Sequence, residues 1–209
     1  MAMARYEDVH PVDPQPRIVT RTVEKMREGA LIAYPTSSGY ALGCALENIE
    51  GRERMQRIRH LRDDHHYTLL CRDFAQLGQV VEVSNAVFRA VKAVTPGPYT
   101  FILPATPEVP RRLAHPKKRT VGVRITDDPL AQLLLAELGE PMLTTTLIMP
   151  GEDAPMTEGW LVKDELDHLV DIVLDTGECG VEPTTVVDLS TGTAEVLRYG
   201  SGDASSFEV

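Results

Sequence analysis

Between Pro35 and Gly39 the chain sets three hydroxyl residues in a row, Thr36, Ser37 and Ser38. A hydroxyl donates one hydrogen bond and accepts two, so such a loop can hold a carboxylate, a phosphate or a carbamoyl oxygen. Gly39 and Gly43 allow a turn or a close backbone approach that a Cβ would block. An ordinary strand-to-strand turn uses the same residues, and the loop alone leaves both readings open. The cations offer a second chemistry. Arg52, Arg54, Arg57, Arg59 and Arg62 fall in one segment, and Arg111, Arg112, Lys117, Lys118, Arg119 and Arg124 in another. Guanidinium groups suit phosphate oxygens, while runs of this kind also suit solvated faces.

Several other chemistries fit poorly. His60, His65, His66 and Cys71 match no recognised zinc-ligand spacing, and Asp63 and Asp64 mark their segment as a polar loop, so no metal site is expected. No Gly-x-Ser-x-Gly elbow and no Gly-x-x-x-x-Gly-Lys phosphate loop occurs. The three cysteines, Cys44, Cys71 and Cys179, form no Cys-x-x-Cys pair and read as buried free thiols.

The elements that must position these residues follow from spacing. Ile18, Val19, Val23 and Met26 lie on one helical face, with Pro16 at its start and Gly29 past its end. Leu31 to Tyr34 is a buried-strand pattern that delivers the hydroxyl loop, and Ala41 to Leu46 continues from it. Asn48 caps a helix running through Leu61, with Met55 and Ile58 inward and the pairs Glu50/Arg54 and Glu53/Arg57 at the offset of exposed ion pairs. Strands are expected at Tyr67–Cys71, Tyr99–Leu103, Thr120–Ile125, Met142–Ile148, Ile172–Leu174, Thr184–Leu189 and Thr193–Tyr199. Helices capped by Asp73, Ser84 and Asp128 intervene, and a further one is expected over Trp160–Val170. Interspersed helices and strands imply an α/β fold, with helices on a mixed sheet.

A length of 209 residues with 43% hydrophobic content supports one large domain. The polar, proline-rich stretch 1–16 has no signal-peptide core and no run of eighteen apolar residues occurs, so a cytoplasmic protein without a membrane partner is expected. A formal net charge of −10 opposes non-specific nucleic-acid binding over the whole surface, but the local basic segments still permit an anionic ligand.

Ordered motifs then add a resemblance. Tyr34-Pro-Thr-Ser-Ser-Gly-Tyr-Ala-Leu-Gly43, Thr95-Pro-Gly-Pro-Tyr-Thr100, Val121-Gly-Val-Arg-Ile125, Pro183-Thr-Thr-Val-Val-Asp188 and Leu197-Arg-Tyr-Gly200 are similar, in order, to landmarks of the YrdC/Sua5/YciO family, the YciO branch above all. The resemblance implies a domain over 17–200, with an N-terminal extension 1–16 and a tail 201–209. Its fold would be a twisted mixed β-sheet flanked by helices, with a large central cavity. It also implies a nucleotidyltransferase that makes threonylcarbamoyl-AMP and pyrophosphate from L-threonine, bicarbonate and ATP for threonylcarbamoyladenosine in tRNA. Mg2+ would accompany the nucleotide, and tRNA-modification proteins would be partners.

By motif position, Thr36, Ser38, Thr144, Thr146 and Thr184 would bind substrate. Thr120, Arg124 and Arg198 would lie on the nucleotide side. The family's Lys-x-Arg pair falls on Arg59 and Leu61 or on His60 and Arg62, depending on register, so its lysine is absent. Arg59 and Arg62 are the catalytic and nucleotide-binding candidates left there. The family's Ser-x-Asn becomes Thr146 and Ile148, which keeps the hydroxyl and loses the amide. A non-catalytic protein that binds nucleotide or double-stranded RNA through the same basic cavity is the alternative.

Overall fold

The computed structural model describes residues 3–62 and 65–208; Asp63 and Asp64 lie outside them. The chain folds as mixed α/β in two compact units, residues 1–63 with 128–181, and residues 64–127 with 182–209.

The first unit holds β1 (Arg5–Asp8), α1 (Pro16–Arg27), β2 (Ile32–Thr36), β3 (Gly39–Ala45), α2 (Ile49–Arg59), α5 (Pro129–Leu138), β7 (Met142–Thr146), α6 (Gly159–Leu166) and β8 (Ile172–Asp175). Its strands run β1-β8-β2-β3-β7; β8 is parallel to β1 and β2, and β3 is antiparallel to β2 and β7. Val19, Val23 and Met26 of α1 and Leu130, Leu134 and Leu138 of α5 are buried, which matches their helical spacing. β1 was not expected. Its Arg-Tyr-Glu-Asp sequence has no apolar alternation, because the strand lies at the edge and is held through backbone pairing with β8. Residues 5–8 of the stretch read as an extension are therefore sheet.

A second difference concerns Arg54. Its side chain is only 7% exposed and pairs with Asp171 at 2.7 Å, so it is no member of a solvated ladder with Glu50. Nε and Nη2 both donate to the Leu169 carbonyl, at 3.1 and 2.8 Å.

The second unit holds β4 (Thr68–Cys71), α3 (Phe74–Val80), α4 (Asn85–Val94), β5 (Tyr99–Pro104), β6 (Thr120–Ile125), β9 (Thr185–Asp188), β10 (Glu195–Arg198) and a short 3₁₀ turn, Ser205–Phe207. Its strands run β4-β6-β5-β9-β10, with β4 parallel to β6 and β5 parallel to β9. Phe207, in the stretch read as a tail, is buried against Phe101 at 5.8 Å between ring centroids, and so belongs to this core.

The expected caps form. Asp73 Oδ1 accepts the Gln76 N–H at 3.0 Å, Ser84 Oγ accepts from Val87 and Asp128 Oδ1 from Ala131. The backbone bond, with Arg72 alongside, holds the Asp73 carboxyl below its usual range. A depressed carboxylate contributes stability above its unfolded value of about 4 and loses it as pH falls through the folded value. Asp73→Asn keeps an accepting oxygen that does not titrate. The difference in thermal stability between the two proteins is therefore expected to shrink as pH falls below about 4; parallel profiles would count against the cap's titration.

Candidate functional site

In the first unit the β2–β3 hairpin builds the hydroxyl loop. Gly39, with φ of +95°, turns the chain where an L side chain would be strained, and a Cβ there would overlap the Pro155 ring. Thr36 Oγ1 donates to the Gly39 carbonyl at 2.7 Å and accepts the Ser38 N–H at 3.0 Å. Its hydroxyl therefore shapes the turn. Ser38 differs: the residue is 6% exposed, and its Oγ has no hydrogen-bond partner among the described residues. Buried hydroxyls are normally satisfied, so this one is available to a ligand or an ordered water.

Register decides which neighbours share that face. Tyr34 pairs with Ala41, Ala41 with Thr146, and Gly43 with Thr144. Paired residues and their i+2 neighbours point the same way, so Tyr34, Thr36, Ala41, Gly43, Thr144 and Thr146 lie on one face. Thr144 Oγ1 donates to the Leu42 carbonyl at 3.1 Å, which makes the Tyr34 hydroxyl the donor in their 2.7 Å bond. Thr144 is thus held internally, while Thr146 is half-exposed.

Arg59 belongs to the other face. Its Nη1 donates to Thr145 Oγ1 at 2.7 Å and its Nε to the Ile148 carbonyl at 3.3 Å, bracing β7 and the turn beyond it. Burial lowers its pKa, but an arginine remains charged at neutral pH. Arg62 is exposed beyond the left-handed His60 that caps α2. The hairpin face gathers Thr36, Thr144 and Thr146, with Ser38 in the turn between β2 and β3, and does not include Arg59.

In the second unit one sheet face is apolar, with Tyr99, Phe101, Leu103, Val121, Val123 and Ile125 buried. The opposite face is mixed, with Ile102 and Leu70 beside hydroxyl and guanidinium side chains. The pairs Pro104 with Thr120 and Ile102 with Gly122 place Thr100, Thr120 and Arg124 together there. Thr100 opposite Val186, and Val186 opposite Arg198, bring Thr184 and Arg198 to the same face. Arg198 Nε donates to the Thr184 carbonyl and Nη2 to Thr184 Oγ1, both at 3.0 Å, and Thr184 Oγ1 lies 2.9 Å from Thr100 Oγ1. Although Arg198 is exposed as a residue, packing of its guanidinium against Thr184 removes water and lowers its pKa. Thr120 is 3% exposed, and its Oγ1 has no hydrogen-bond partner among the described residues.

Each unit therefore presents buried or half-buried hydroxyls on one sheet face. In the second they stand beside arginines, a set suited to phosphate or carboxylate oxygens. Over residues 24–200 the chain matches the Sua5/YciO/YrdC family model, described as "Telomere recombination". The chain belongs to the Sua5/YciO/YrdC family. It is 46% identical to the uncharacterized protein YciO of Escherichia coli (strain K12) over 98% of this chain and 100% of that one. The crystal structure of E. coli YciO superposes with a TM-score of 0.95, covering 99% of this chain and 100% of that chain. Identity to a threonylcarbamoyl-AMP synthase from Vibrio vulnificus (strain YJ016) is 31%, over 86% of this chain and 97% of the synthase.

Within this Sua5/YciO/YrdC domain the resemblance did not single out Thr100 or Tyr34. Thr100 closes the Thr95-Pro-Gly-Pro-Tyr-Thr100 motif and is two residues from Ile102 on the same face, a period-2 relation that, with the β5–β6 register, puts it across from Arg124. Tyr34 carried no such signal, because its hydroxyl reaches across Gly43 to a residue more than a hundred positions away. No described helix is long and apolar enough to cross a membrane.

Proposed function

We propose that this protein is a threonylcarbamoyl-AMP synthase-like enzyme. L-threonine and bicarbonate would form a carbamate with loss of water, and its oxygen would attack the ATP α-phosphorus, releasing pyrophosphate. The observation that carries this reading is the buried Ser38 Oγ, without a partner among the described residues and held in a preformed turn in which the Thr36 hydroxyl is already committed. In this reading Ser38 and Thr146 orient the amino acid. Thr120, Arg124 and the Arg198–Thr184–Thr100 chain hold ATP phosphate, accompanied by Mg2+. Such donors lower a barrier by being fixed where charge develops. The 31% identity to a synthase supports the same reaction class.

The test incubates purified protein with ATP, L-threonine and bicarbonate and follows threonine-dependent pyrophosphate and the adenylate. Ser38→Ala is expected to raise the KM for threonine about tenfold, the worth of one hydrogen bond to a charged group. An unchanged KM would remove Ser38 from the amino-acid side.

One observation favours the second reading, nucleotide or double-stranded RNA binding without turnover. Arg59, at the Lys-x-Arg register, faces Thr145 rather than the hydroxyl face. No product from wild-type protein, with ATP or double-stranded RNA still bound, would select that reading; RNA affinity should then fall steeply with salt.

A further inference from the structure

The turn that carries Ser38 is gripped by two segments distant in sequence, and they are tied to each other. On one side, Tyr40 N–H donates to the Met156 carbonyl at 2.8 Å and Pro155 packs on Gly39. On the other, Gly180 lies so close to Ser37 that a Cβ would sit 2.5 Å from its carbonyl oxygen. Cys179 links the two sides. Its Sγ and its N–H each donate to the Thr157 carbonyl at 3.4 Å, and the Thr36 backbone N–H faces its sulfur. The contacts close a ring: Gly39 to Pro155, Thr157 to Cys179, Cys179 to Thr36, and Gly180 to Ser37. Burial raises the Cys179 pKa, so the sulfur is a neutral thiol that can donate.

Steric room, and not left-handed backbone, requires glycine at 180. The atom a Cβ would meet is a backbone oxygen, which cannot swing away as a long side chain could. Any larger residue must lift the strap or push Ser37, and Ser38 follows Ser37 directly.

We propose that Cys179 and Gly180 form a strap that positions the Ser38 hydroxyl, making Gly180 a positioning residue for the amino-acid side of the site. The proposal rests on Ser38 contacting the amino acid, as argued above. Preorganisation is its physical content. A turn held in place before the ligand arrives loses little freedom on binding, so loosening the strap weakens affinity without removing a ligand contact.

The test uses the full chain with Gly180→Ala, Cys179→Ala, Cys179→Ser and, as a control at an exposed neighbour, Glu178→Ala. Two quantities are read: the Kd for L-threonine by calorimetry, with ATP affinity alongside, and hydrogen exchange of the peptide covering 36–40. Gly180→Ala is expected to weaken L-threonine about tenfold, to leave ATP affinity within about twofold, and to speed exchange of the Ser38 amide, which Thr36 Oγ1 protects. Cys179→Ala should do the same more weakly, Cys179→Ser should restore much of the loss because its hydroxyl can donate to Thr157, and Glu178→Ala should match wild type. Unchanged exchange in Gly180→Ala overturns the strap, as does an equal loss of threonine and ATP affinity, which would mark general destabilisation. If the wild-type protein takes up no L-threonine, the proposed reaction fails and exchange alone decides the strap.

Discussion

Arg198→Ala is expected to lower threonine-dependent pyrophosphate release by about a hundredfold or more, with thermal stability nearly unchanged. Removing one fixed donor from developing negative charge typically costs about 10²–10³ in rate. Arg198 is such a donor in the proposed reaction, because Nε and Nη2 anchor it to Thr184 through two 3.0 Å bonds. The anchor fixes the plane of the fork and leaves Nη1 to meet an oxygen. Lysine cannot reproduce this geometry, since its single ammonium cannot hold the Thr184 carbonyl and hydroxyl while also reaching a phosphate. Arg198→Lys should therefore recover only a small part of the lost rate. Thr184→Val keeps the shape, removes the hydroxyl that receives Nη2, and should fall between wild type and Arg198→Ala. Stability should change little because the arginine lies on an exposed edge strand. Rates within about threefold of wild type for Arg198→Ala would take Arg198 off the phosphate.

Features governed by local chemistry could be read from the sequence. Thr120–Ile125 is the strand that its alternation implied, and Asp128, Ser84 and Asp73 cap helices because each carries an oxygen at the right offset. The run Thr144-Thr-Thr146 was read with its outer members on the site, and β-alternation groups those two on the Thr36 face. What could not be read depends on partners far along the chain. Arg59 has helical neighbours that suggest a free cation, yet its guanidinium meets β7 some ninety positions later. The hydroxyls of Thr36 and Ser38 look alike in sequence. One closes the turn and the other stays open only because of how the backbone bends between them.

Arg54 shows the same limit from the side of stability, and Arg54→Ala is expected to destabilise the protein by about 3 kcal/mol. At 7% side-chain exposure the guanidinium joins α2 to the turn before β8, with two bonds to the Leu169 carbonyl and an ion pair to Asp171. Asp171 Oδ2 also accepts the Leu31 N–H at 2.7 Å, so one carboxylate oxygen aligns the entry of β2 as well. Deleting the arginine strands the Leu169 carbonyl and removes the countercharge from that oxygen. Because the Asp171 side chain is 42% exposed, water recovers part of the loss, which keeps the figure at the low end for a broken buried pair. In a chain of this length, about 3 kcal/mol corresponds to a fall in Tm of about 6–12 °C. Arg54→Lys should lose nearly as much, since an ammonium cannot reach both acceptors with the same spread. Arg54→Met restores packing and no hydrogen bond, and so should fall between alanine and wild type. A Tm within about 2 °C of wild type for both Arg54→Ala and Arg54→Lys would show the network to be solvated. The exposed i,i+4 reading with Glu50 predicts that smaller change, about 0.3–0.5 kcal/mol, and the measurement separates the two by size alone.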